Sequence, residues 1–247
     1  MAERGHHSTI SIPIICDFLS DAYDEGYSCR SLNCMRSALN YFTPKNIDLG
    51  EDPHVKQLFT SFYKTRPMCA KYVSFWPVDK VLKYLATLHP PKDLTLKQLT
   101  LKTVALIALS SSDRGQTINA IDIENCELSE NSVKFIIFKR LKTSKKFMKP
   151  KIVNCRVTTN PALNVRDYVL IYMTRTLAFR AAEVQKGNPK PTSLFLSWKT
   201  KKCVTTQTIG RWLKEVLNLS GIDTTIFGAH SYRGSSLSKA SKLGASI

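Results

Sequence analysis

The chain has 247 residues, 43% of them hydrophobic, enough to bury a core in one large domain or two modest ones. Lys and Arg number 36 against 19 Asp and Glu; the resulting +17 costs self-repulsion that a polyanion such as nucleic acid would relieve. Seven scattered cysteines without a CxxC exclude a disulfide frame, no Cys/His spacing suits a metal, no cofactor is called for, and no apolar run spans a membrane.

The charge is uneven. Residues 1–70 hold 7 Lys/Arg and 8 Asp/Glu, a net of −1, so residues 71–247 hold 29 and 11, a net of +18. Two domains with different work are expected. In the first, Ile10, Ile14, Ile15, Phe18, Leu19 and Ala22 follow the spacing of one helical face, and Gly26 ends that helix. Ser28 reads as an N-cap before a second stripe of Leu32, Met35, Leu39 and Phe42. Asp52-Pro53 opens a third helix carrying Val55, Leu58, Phe59 and Phe62. Thr65 to Lys71 has no period and reads as a linker. His6-His7 reads as part of a disordered tail.

The second domain starts with a helix opened by Pro77, with Val78, Val81, Leu82 and Leu85 inward and Pro90-Pro91 as its end. Leu96 to Leu109 is apolar around most of its circumference and is expected to be the central buried helix. It runs into Ser110-Ser111-Ser112-Asp113-Arg114-Gly115, a sharp turn. Val133–Phe138 and Lys151–Cys155 read as a strand pair, Ala162–Phe179 as a helix, and Ser193–Leu196 as a short strand. Thr205–Leu219 is an amphipathic helix ending at Gly221, and a last helix starts near Gly228-Ala229-His230. The fold class expected is mainly α with a small antiparallel β-sheet.

Three features carry chemistry. Every charged residue from Lys139 to Lys149 is basic (Lys139, Arg140, Lys142, Lys145, Lys146 and Lys149), which suits a hairpin tip on a DNA backbone; the bland alternative is a solvated turn. Arg114 follows the most buried helix, so its planar fork would be rigidly placed to hold two phosphate oxygens; alone, it could equally be an ordinary helix-end arginine. His230 and Arg233 stand three apart at a helix start, where an anion is favoured. Gly234, Ser235 and Ser236 after them would let DNA or another helix come close. Two arginines, a lysine and a histidine meet the needs of phosphoryl transfer at a DNA backbone without a metal. No acid cluster of the two-metal nuclease kind is evident.

The ordered set resembles the tyrosine recombinases (phage integrases), in particular the branch of DIRS-type retrotransposons and crypton-like elements. Tyr27 to Leu39 resembles the family's helical core-binding domain. Leu99 to Leu109 with Asp113-Arg114-Gly115-Gln116-Thr117 resembles its first-arginine motif, and Leu141-Lys142-Thr143-Ser144 its hairpin-lysine motif. Phe227 to Ser236 resembles its HxxR motif. The resemblance implies a helical core-binding (SAM-like) domain over 1–68 and an integrase-like catalytic domain over 69–247. Arg114 and Arg233 would clamp the scissile phosphate, Lys142 would protonate the leaving 5′ oxygen, and His230 would act as acid/base or orienting group. Duplex DNA is the implied partner, with a possible homo-oligomer on it, and the implied location is intracellular and nuclear. The family also has a second His or Trp and a nucleophilic Tyr further along. No Tyr follows Tyr232 here, and Tyr232 lies inside the HxxR motif, so the expectation is a core lacking its nucleophile. A DNA-binding module without catalysis is the alternative. A basic RNA-associated scaffold is a third reading, for which no aromatic RNP-like motif is seen.

Overall fold

A computed structural model describes residues 11–44, 46–67, 74–142 and 149–244. The chain divides into two compact units, Met1–Lys71 and Tyr72–Ile247.

The first unit holds three helices: α1 (Ile12–Asp24), α2 (Cys29–Leu39) and α3 (Pro53–Thr65). The Ser28 hydroxyl caps α2 by accepting from the Ser31 amide at 3.1 Å, and Asp52 caps α3 by accepting from the amides of His54 and Val55. Ile15, Leu19, Leu32, Val55 and Phe59 meet in its core, with the Tyr23 ring stacked on Phe62 at 4.2 Å. Two expectations need correction. Phe42 lies beyond the end of α2 and is 70% exposed, so the stripe stops at Leu39. Arg66 is no free linker residue: its guanidinium lies over the Tyr23 ring and donates to the Tyr23 carbonyl, tying the end of α3 to α1. Met68–Lys71 of the expected linker, Cys69 and His6-His7 lie outside the described residues.

The second unit is built on α5 (Leu96–Ser111), opened by a capping box between Thr95 and Gln98. Ten consecutive residues, Leu99 to Ala108, are buried, as the sequence led one to expect. Around it lie α4 (Val78–Thr87), α6 (Gly115–Asn119), α7 (Val165–Gln185), α8 (Thr206–Leu219) and α9 (Ser231–Lys242). A three-stranded antiparallel sheet, β1 (Cys126–Leu128), β2 (Ser132–Ile137) and β3 (Lys151–Arg156), packs on α5 and α7. Val133 pairs with Cys155 and Phe135 with Val153, and these buried residues alternate with more exposed ones, as a sheet with one wet face requires.

The expected strand at Ser193–Leu196 is not a strand: only isolated bridges join Asp122 to Ser193 and Leu196 to Cys203. The physical reason is Arg180. Its guanidinium is buried and donates to the carbonyls of Pro191, Ser193 and Leu194, two of them at 2.9 and 2.8 Å. These carbonyls are held by a side chain instead of a strand ladder. Helix α7 starts at Val165 rather than Ala162, where Asn164 caps it, and runs on to Gln185. Phe138 falls past the end of β2 and is 67% exposed. Among the described residues, no helix is long and apolar enough to cross a membrane.

Candidate nucleic-acid interface

Arg114 is placed by the way α5 ends. Ser112 takes a left-handed conformation (φ 53°), and the Ser111 hydroxyl accepts from the Asp113 amide at 3.2 Å. The chain turns there, and Arg114 becomes the N-cap residue of α6. Its side chain is exposed. The backbone strain of the turn therefore sits at a serine, not at Gly115. Gly115 lies against α8, where a Cβ would meet Ile209 and Thr206 at 3.9 Å.

Lys142 is held at the start of the long β2–β3 connection by two neighbours. Leu141 plugs into the core, and the Lys142 amide donates to the Gln116 side chain at 3.3 Å. Gln116 belongs to α6, so the arginine-bearing turn and the lysine-bearing hairpin are tied to one short helix.

In the third segment, alternate duties fall on successive residues. Ser231 and Tyr232 are buried, while His230 and Arg233 are exposed. The Tyr232 hydroxyl donates to the Leu213 carbonyl at 3.2 Å, and burial pushes its pKa far above the usual phenol range. Gly234 has a packing reason: a Cβ there would come within 2.5 Å of the Phe75 ring. What approaches closely at Gly234 is thus Phe75 rather than DNA or a second helix. Ser235 and Ser236 are buried in the same helix.

Arg114, Lys142, His230 and Arg233 line one cleft of about 800 Å³. Asp113, Gln116, Gln207, Arg211 and Lys214 line it too. Its Arg and Lys number five against the single acid Asp113, which Lys151 pairs at 3.4 Å. Among the described residues, Arg114, Lys142, Lys214 and Arg233 have no acidic partner. The starts of α6, α8 and α9 all contribute lining residues (Gly115, Thr206, His230), so helix N-termini add to the positive potential. Such a cleft can hold an anion with two or more oxygens, since guanidinium forks match phosphate geometry.

Gln207, Arg211 and Lys214 were not anticipated from the sequence. Their signal was present: they stand at i, i+4 and i+7 on the polar side of an amphipathic helix. Of the other basic residues expected at the hairpin, Lys139, Arg140 and Lys149 are exposed. Lys139 lines a separate depression with Asn119 and Lys190. Lys145 and Lys146 lie outside the described residues, as do Thr143 and Ser144. Among the described residues, no group of three His, Cys, Asp or Glu is placed to hold a metal.

No protein-family model matches the sequence, and no curated protein matches it. Solved structures do match in fold. One is a lambda integrase (75-356) dimer bound to a COC′ core site, at 15% identity and TM-score 0.54, covering 96% of this chain and 72% of that one. A second is the Tn1549 transposon integrase (aa 82-397) in complex with circular intermediate DNA, at 11% identity and TM-score 0.60, covering 96% and 75%. A third is the XerH site-specific recombinase in a post-cleavage complex with a palindromic difH substrate, at 14% identity and TM-score 0.57, covering 95% and 60%. The helical body with its small three-stranded antiparallel sheet is the fold of these tyrosine recombinases and integrases.

Proposed function

We propose that the chain is the DNA-binding, phosphate-clamping core of a tyrosine recombinase that serves DNA recombination or integration. The observation that carries this reading is the single cleft lined by Arg114, Lys142, His230 and Arg233, three segments far apart in sequence. Arg114 and Arg233 clamp the scissile phosphate and stabilise the charge that builds on it. Lys142 delivers a proton to the leaving 5′ oxygen, and His230 acts as acid/base or orients the phosphate. Lys139, Arg140, Lys145, Lys146 and Lys149 hold backbone phosphates around the hairpin. Residues 1–68 act as the core-binding domain and 69–247 as the catalytic one. The similar solved structures are described as DNA-bound, one of them as a dimer, which supports a DNA partner and a homo-oligomer on it. The sequence likeness to DIRS-type and crypton-like elements supports a mobile-element origin and a nuclear location.

A second reading, a DNA-binding module without strand cutting, is favoured by Tyr232. Its hydroxyl is sealed in the core, so it cannot serve as the nucleophile. A nicked suicide duplex, which traps covalent products on a denaturing gel, tests whether any residue of this chain cuts the strand. No adduct is expected from these 247 residues. An adduct that vanishes in Tyr232→Phe would overturn the assignment of Tyr232.

The primary test is a duplex-binding assay. Arg114→Ala and Arg233→Ala should each weaken binding about tenfold or more, as losing a charge-assisted phosphate contact does. Lys92→Ala, an exposed lysine outside the cleft, should leave it nearly unchanged. Equal effects at all three positions would refute the cleft as the phosphate site.

A further inference from the structure

Helix α4 begins without a side-chain cap, because Pro77 stands at its N-cap position and has no side-chain acceptor. Among the described residues, the amides of Val78 and Asp79 find no acceptor. Free amides at a helix start favour an anion. Val78 and Asp79 line a depression of about 250 Å³ whose opposite wall is α9. That wall supplies a second, independent observation. Ser235 of α9 lines the depression, is 1% exposed, and its hydroxyl has no hydrogen-bond partner. Such a hydroxyl is costly to bury, and an occupant of the depression would satisfy it. Ser238, Lys239 and Lys242 line the same space. Lys239 pairs with Asp79 and so cancels the one acid of the site. Lys242 is exposed and, among the described residues, has no acidic partner.

We propose that this depression is a phosphate-binding site, separate from the cationic cleft. Its unused groups are donors: two backbone amides, the Ser235 and Ser238 hydroxyls and the Lys242 ammonium. A compact oxyanion can meet several of them at once, with the charge-assisted bond coming from Lys242. The two sites share no lining residue. Ser235, Lys239 and Lys242 stand at steps of four and three along α9, on one face of the helix. Arg233, which lines the cleft, lies about 200° around the same helix from Ser235. The site therefore stands whether or not the cleft binds DNA. A free phosphate and a DNA backbone phosphate present the same oxygens to these donors, so the partner is defined by that shared chemistry.

Nuclear magnetic resonance of the full chain tests the site residue by residue. Titration with inorganic phosphate should move the amide signals of Val78 and Asp79 saturably, while chloride at equal ionic strength should not. Lys242→Gln should raise the dissociation constant read at these amides about tenfold, and Ser235→Ala about fivefold. Ser235→Ala should unfold at no lower denaturant concentration than the wild type, since its hydroxyl bonds nothing in the folded chain. Arg114→Ala, in the cleft, should titrate at Val78 and Asp79 as the wild type does. A blunt DNA duplex in place of phosphate separates the sources: it moves the same amides if the site takes a backbone phosphate, and leaves them unmoved if it takes a free one. Amides that do not saturate, an equal response to chloride, Ser235→Ala and Lys242→Gln variants that titrate like the wild type, or a response lost in Arg114→Ala would each overturn the proposal.

Discussion

The indole nitrogen of Trp76 donates a 2.8 Å hydrogen bond to the hydroxyl of Ser231, and both residues are buried. Ser231 passes its own proton on to the Gly228 carbonyl at 2.6 Å. The Trp76 ring also meets Tyr232 edge-on at 5.1 Å. The two middle residues of His230-Ser231-Tyr232-Arg233 are therefore anchors, and the outer two are what they hold out to the cleft.

Ser231→Ala should destabilise the fold. It leaves the buried Trp76 N–H without its acceptor, at a cost of about 1–3 kcal/mol. Denaturant unfolding would measure this as a lower midpoint at unchanged slope. An unchanged midpoint would mean that the indole finds another partner and that Ser231 does not anchor the segment.

Tyr232→Phe removes only a hydroxyl whose acceptor, the Leu213 carbonyl, lies inside helix α8. A loss of about 0.5–1.5 kcal/mol in unfolding free energy is expected, with duplex affinity unchanged. A large drop in affinity without loss of stability would place the hydroxyl at the DNA.

Lys102 is a buried amine in the middle of α5, with no accessible surface. It donates to the Leu88 carbonyl at 2.6 Å and lies 3.9 Å from the centre of the Tyr168 ring. Burial lowers its pKa to about 7. The folded chain therefore gives up this proton where the unfolded chain still holds it. Because the unfolded state binds more protons, stability should rise as pH climbs from about 7 towards the ordinary lysine pKa of about 10.4. The penalty is present in full below about pH 7. Lys102→Met should remove this part of the pH profile and raise stability at neutral pH. The Tyr168 hydroxyl, 3.2 Å from the Leu88 carbonyl, remains to satisfy it. Unfolding measured against pH for both proteins decides: parallel profiles would contradict the assignment.

Arg180→Met should open the segment after α7. It strips the donors from three carbonyls at Pro191, Ser193 and Leu194, and charged hydrogen bonds are worth about 1.5–3 kcal/mol each. Hydrogen exchange should rise first in residues 189–196. Arg180→Lys should not rescue it, since one ammonium cannot reproduce a planar fork across three acceptors. Uniform exchange in all three proteins would show that the segment is held by other contacts.

Much of the fold was legible because one physical signal dominated each element. Leu96 to Leu109 is too apolar to be anything but a central helix, and Val133 to Ile137 is too β-branched and aromatic to be a loop. The misses have local causes. Strand β1 is three residues long and gains its identity only by pairing with β2. Leu194-Phe195-Leu196 has the composition of a strand, but its shape is set by Arg180, more than ten residues away. Arg114, Lys142, His230 and Arg233 were legible as separate motifs. That they act on one phosphate was expected through the resemblance; what holds them there, Gln116 on the Lys142 amide and Trp76 on Ser231, was not legible. Arg211 and Lys214 were passed over because the polar side of an amphipathic helix is normally its wet side.

The proposed function requires the cationic cleft to hold DNA phosphates. Duplex binding measured by fluorescence anisotropy across a salt series tests it directly. The wild type should lose affinity steeply, with log K falling linearly against log salt. Arg114→Ala, Arg211→Ala and Arg233→Ala should each reduce the magnitude of that slope by about 1, the loss of one phosphate contact. A flat salt response, or cleft variants whose slopes equal that of the wild type, would contradict the account.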